Sequence, residues 1–168
     1  MHRHAVLIER FYAAFAALDG RAMQACYAPD ARFSDPAFEL RGADQIGAMW
    51  QMLCEAARTD GTDHWRLQVG GIGADDRHGH AHWEPHYRFG PDRRPVHNVI
   101  DAAFTFDDQG RIVRHVDRFD FWRWSRQALG APGWLLGWTP WLRGRVRRQA
   151  ARNLARWRAG RTGGPTPS

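Results

Sequence analysis

The sequence predicts an α+β domain: helices first, then a run of antiparallel strands curving over them, with an apolar space between the two layers. Three observations predict it. Residues 4–57 place apolar side chains at three- and four-residue steps, broken by turn residues and one short β-like run. Residues 64–121 switch to a two-residue period rich in β-branched and aromatic side chains. Between the last two of those runs, Asp107, Asp108, Gln109 and Gly110 form a polar, glycine-bearing turn, which is a hairpin signal. A chain of 168 residues buries a sizeable core as one domain with a short appendage.

The first helix is expected over residues 4–18, with Leu7, Phe11, Ala14, Phe15 and Leu18 on its apolar stripe and Tyr12 beside it. Asp19 can cap a short second helix over residues 21–27, which residues 28–30 (APD) end. A short strand over residues 31–34 leads to Asp35, which Pro36 pushes out of the helical region into a strand-to-loop corner. The third helix, residues 42–57, turns Ile46, Met49, Trp50, Leu53 and Ala57 inward and carries Asp44 near its positive end. Strands follow over residues 64–73, 79–89, 96–106 and 112–121. Pro85 within the second of them marks an edge or a bulge.

Charge divides the chain. All 24 basic residues are arginine; ten of them, and no acid, follow Asp120, so residues 1–120 carry 14 basic and 18 acidic groups, net −4, and the overall +6 belongs to the tail. Residues 1–126 therefore form the body, residues 127–160 a basic, Trp-rich helical extension, and residues 161–168 a disordered end. In the extension a loop bearing Trp134, Leu135, Leu136 and Trp138 precedes a helix over residues 141–158, with Leu142, Val146, Ala150, Leu154 and Trp157 on one stripe. Such a helix can dock on the body's acidic surface or a partner subunit, or lie on an anionic membrane. The aromatic spacing shows no base-stacking module, which speaks against nucleic acid. Cys26 and Cys54 sit in apolar helical patterns and read as small buried hydrophobes. No signal peptide or apolar run of membrane-span length is visible, so a cytoplasmic protein is expected, one the tail could bring to a membrane periphery.

The chemistry concentrates on the last strand. Its period puts Val113, His115, Asp117, Phe119 and Phe121 on one face, so two titratable groups stand side by side among apolar ones, as proton-transfer sites require. The same pair could also be a satisfied ion pair. His82, Glu84 and His86, with His97 across the turn, are alternating ligand types, but a polar outer sheet face alternates in the same way, and no metal is expected.

The stretches IERFYAAFAALDGRAMQACYAPDARFSDP, RGADQI and FTFDDQGRIVRHVDRFDFW, most of residues 6–122, resemble the nuclear transport factor 2-like superfamily in its SnoaL-like and ketosteroid-isomerase-like branch. The resemblance implies a cone: a strongly curved antiparallel sheet wrapped over three N-terminal helices, here with a C-terminal Trp/Arg-rich helical extension. It implies a small apolar ligand, no cofactor and a homodimer, in a family that mixes isomerases, cyclases, dehydratases and hydrolases with non-catalytic binding or scaffold domains. Asp35 matches the isomerases' general base. Their oxyanion-hole tyrosine falls on Phe11 and their protonated aspartate near Ala102, which speaks against steroid isomerisation. Asp117 matches an acid/base position of the SnoaL-like cyclases. The implied site is Asp35 and Asp117 moving protons, His115 assisting, and Phe11, Tyr12, Phe15, Trp50 and Phe119 lining the cavity.

Overall fold

A computed structural model of the chain describes residues 1–162; the end of the tail, residues 163–168, lies outside them. Helix α1 (Arg3–Ala16) starts at His2, whose ring accepts the His4 N–H, and buries Ile8, Phe11, Tyr12 and Phe15. The buried stripe thus runs through Ile8 and Tyr12, while Leu7 and Ala14 flank it at partial burial. Asp19 caps α2 (Gly20–Gln24) by accepting the Ala22 N–H at 3.0 Å, as expected. That helix is shorter than predicted, since Ala28 precedes Pro29 and is biased toward extended backbone. Strand β1 (Tyr27–Ser34) therefore begins four residues early. Helix α3 (Ala43–Thr59) buries Ile46, Met49, Trp50 and Cys54, with Leu53 outside. Helices α2 and α3 touch closely because Gly20 has no Cβ; one placed there would lie 2.7 Å from the Gln51 Cα.

The sheet adds β2 (Glu39–Arg41), β3 (Arg66–Ala74), β4 (His78–Phe89), β5 (Arg94–His97), β6 (Ile100–Phe106) and β7 (Ile112–Arg118). Its order is β2-β1-β7-β6-β4-β3, with β5 also on β4. All pairings are antiparallel except β1 with β7, which is parallel. The strand expected over residues 96–106 is two strands that share one edge of β4, whose first half pairs with β6 and second half with β5. The break falls at Asn98, whose N–H donates to the Pro85 carbonyl at 3.1 Å, so the proline marks the bend. The sheet curls over α1 and α3, and Phe33, Trp83 and Phe104 meet the aromatic side chains of both helices in one core.

Strand β7 ends at Arg118, short of the predicted Phe121, because Asp120 accepts the Arg123 N–H at 3.0 Å and starts α4 (Phe121–Leu129). This helix crosses the body–extension boundary placed after residue 126. The loop expected around Trp134 holds α5 (Ala131–Leu136), and α6 (Pro140–Thr162) is longer at both ends than the predicted helix. Helix α6 lies on the body: Leu154 is buried in the main core, and Arg147 and Arg161 pair with Glu39 and Glu55. Trp124, Phe121 and Ala128 of α4 pack with Val96 of β5 in a second core, against which Phe119 and Val146 rest.

Candidate functional site: a buried Tyr–His–Asp chain beneath a raised carboxyl

A chain of polar side chains crosses the apolar centre of the cone. The Trp50 indole N–H donates to the Tyr27 hydroxyl at 3.0 Å, and the Tyr27 oxygen lies 2.7 Å from His115 Nδ1. His115 Nε2 lies 2.9 Å from Asp117 Oδ1, which also accepts the Trp83 indole N–H at 3.3 Å. Proton counting assigns the direction. An indole can only donate, and the Tyr27 hydroxyl, already an acceptor, has one proton to place. Given to Nδ1, that proton leaves Nε2–H to donate to the Asp117 carboxylate, so every atom of the chain is satisfied and the tautomer follows from its partners.

The strands make this arrangement. His115 and Asp117 share the inward parity of β7, whereas a register shift between Thr105 and Phe106 brings Ile112 inward in place of Val113. Tyr27 opens β1 at its pairing with Ile112, and a second shift lies between Tyr27 and Arg32. His115 is wholly buried, with Phe11, Phe33 and Phe104 rings edge-on or tilted around it at centroid distances of 5.6, 5.0 and 4.3 Å. The Tyr12 hydroxyl is buried among the same groups without a partner among the described residues. Burial first, and then the nearby Asp117 charge, push it well above the usual tyrosine range.

Asp35 stands at the corner where β1 ends. Its Oδ1 accepts the Ala37 and Phe38 N–H groups at 2.7 and 2.6 Å, so the carboxyl closes the turn that Pro36 begins. The residue is half-buried, and its carboxyl is pushed up to about 7. Burial is the first cause and the Asp117 charge adds to it, against the opposing pull of the two backbone N–H groups and of Arg147 on α6.

The structure thus gathers His115 and Asp117 in direct contact and sets Asp35 within electrostatic reach of Asp117. Phe11, Tyr12, Phe15 and Trp50 pack on one another and on Trp83 and fill the centre of the cone. Phe119 sits between the two cores beside Trp124. Depressions open elsewhere: one of about 250 Å³ is bounded by Arg3, His4, Leu7, Arg10 and Gly110, and a far smaller one lies beside Trp65 and Tyr87. Sequence reasoning missed Tyr27 and Trp83. The signals were present: Pro29 two residues after Tyr27 argued for extended backbone, and a buried indole needs an acceptor.

On the outer sheet face, His82 bridges Asp101 and Glu84 at 2.8 and 3.1 Å, and Glu84 reaches His97 at 2.6 Å. No group of three or more metal-ligand side chains suited to an ion comes together among the described residues. No helix among those residues is long and apolar enough to cross a membrane.

Helices clasped by a curled, mostly antiparallel sheet are the architecture of the nuclear transport factor 2-like class of α+β proteins. A profile for the SnoaL-like domain matches residues 8–115, and the chain belongs to the SnoaL-like family. No curated protein matches it. Among solved structures it is similar to an epoxide hydrolase of M. tuberculosis related to LEH (TM-score 0.58, 22% identity, covering 75% of this chain and 89% of that one). It is similar also to SalBIII, an epoxide hydrolase/cyclase-like enzyme of pyran ring formation in salinomycin (0.59, 13%, 70% and 90%). A third is a protein of Xanthomonas campestris pv. campestris, provisionally assigned as a polyketide cyclase (0.57, 21%, 74% and 96%). At these identities the likeness is one of fold.

Proposed function

We propose that the protein is a cofactor-free acid/base catalyst acting on a small, largely apolar molecule, with Asp35 as the group that exchanges a proton with it. The observation that carries this reading is the Asp35 carboxyl raised to about 7 within electrostatic reach of a buried, hydrogen-bonded Asp117. A group that titrates near neutrality can both give and take a proton at physiological pH. Asp117 supplies the second carboxyl, held by hydrogen bonds to Trp83 and His115; His115, sealed from solvent, is a positioning residue whose ring is fixed by Tyr27. The two carboxyls differ in surroundings, one half-covered and one sealed, which is how paired acids take different roles. Opening of an epoxide or closure of an oxygen ring, reactions named for the structural neighbours, each need such a pair.

The filled centre of the cone favours a second reading, a binding or scaffold domain without turnover. A panel of small apolar epoxides and hydroxy-epoxides separates the two. Product should form with the native chain and fall about 100-fold or more in Asp35→Asn. A compound that quenches Trp50 and Trp83 fluorescence on binding while none of the panel reacts decides for the binding domain.

A further inference from the structure

We infer that the elbow formed by α4, α5 and the start of α6 is a docking surface for a bilayer rich in anionic lipid, which it engages without crossing. Trp134, Leu135 and Trp138 are 59%, 73% and 71% exposed, and Trp122, Leu136 and Trp141 stand out beside them. Large apolar side chains gathered so tightly on a surface mark an interaction site.

Their exposure is built in. Gly133 and Gly137 let α5 press onto α4, because a Cβ at either would meet Ser125, so the larger side chains of α5 are turned away from the body. Arg126 lies 4.7 Å from the centroids of both the Trp122 and Trp134 rings, and Arg145 lies 5.6 Å from that of Trp141. Cations are thereby held at the level of the indoles, the arrangement a lipid headgroup region favours.

Charge selects the occupant. No acid follows Asp120, and of the ten arginines beyond it only Arg147 and Arg161 pair with a carboxylate among the described residues. Arg123 turns inward to the His97 carbonyl, but Arg126, Arg143, Arg145 and Arg148, on α4 and the first turns of α6, set positive charge among the exposed apolar side chains, the composition of helices that lie in an anionic interface. A second copy fits poorly, since a twofold contact would set this arginine-rich patch against itself. Nucleic acid would use the arginines but has no need of Leu135 and Leu136.

The test is co-sedimentation of the full chain with phosphatidylcholine vesicles, with and without phosphatidylglycerol, at low and high salt. The native chain should bind the anionic vesicles, shift its Trp emission to the blue there, release at high salt, and ignore the neutral vesicles. Trp134→Ala/Leu135→Ala/Trp138→Ala, at exposed positions, should keep its circular dichroism and melting temperature and lose about tenfold or more in vesicle affinity. Arg145→Gln/Arg148→Gln should weaken binding to anionic vesicles as well. The inference is overturned if the native chain binds neither kind of vesicle, or if the triple variant binds as the native chain does. It is equally overturned if the triple variant instead turns a dimer into a monomer on sizing, or if duplex DNA competes fully with vesicles and binds the triple variant undiminished.

Discussion

Two tyrosine hydroxyls buried in the same core make opposite predictions. Tyr27 both accepts from Trp50 and serves His115, so Tyr27→Phe strands two buried polar atoms and should cost about 2–4 kcal/mol. Tyr12 has no partner among the described residues, so Tyr12→Phe removes a desolvated hydroxyl and should be neutral or stabilising by about 1 kcal/mol. Urea denaturation of the two variants checks both. Asp35 sets a pH dependence whose sign follows from its raised folded value. Between the ordinary 3.8 and about 7 the folded chain keeps a proton that the unfolded chain has released, so this group's contribution declines as pH rises through that window and is level above it. Asp35→Asn, which can still cap the turn through its side-chain oxygen, should flatten that decline. Melting temperatures at pH 5 and pH 8 for both chains measure the difference.

At the scale of the element, α6 is held by packing more than by charge. Leu154 is buried in the core, whereas the Arg161–Glu55 pair is exposed on both sides. Leu154→Ala should therefore cost about 2–4 kcal/mol, and Glu55→Gln about 0–1 kcal/mol with little sensitivity to salt in the native chain; thermal melts in low and high salt test the contrast. Elements with a clean local period were legible in the sequence: α1, α3 and the inward parity of His115 and Asp117. Their rotation was less so. Ile8 stands inward where Leu7 was expected, and Cys54 where Leu53 was, because adjacent apolar residues leave the phase of a broad stripe undetermined. Helix α4 was hidden since Phe121, Trp122 and Trp124 suit a strand as well as a helix, and the Asp120 cap decided it. The site was half legible for a similar reason. His115 and Asp117 announce themselves by type and spacing and Asp35 by the family resemblance, but Tyr27 meets a partner 88 residues away, which no local pattern encodes.

For the whole molecule, the parallel contact of β1 with β7 sets the order of assembly. Residues 27–34 meet β2 locally but cannot find their other neighbour until residues 112–118 exist, and every antiparallel pairing from β3 to β7 can form without them. A growing chain thus carries β1 paired on one edge only until β7 is made. Refolding should show a fast phase that buries the β4–β6–β7 meander and a slower one that brings Tyr27 onto His115, read as quenching of Trp50 in stopped-flow fluorescence. Until that last clasp shuts, the His115 ring lacks its partner on Nδ1, and the buried polar chain stays open at one end.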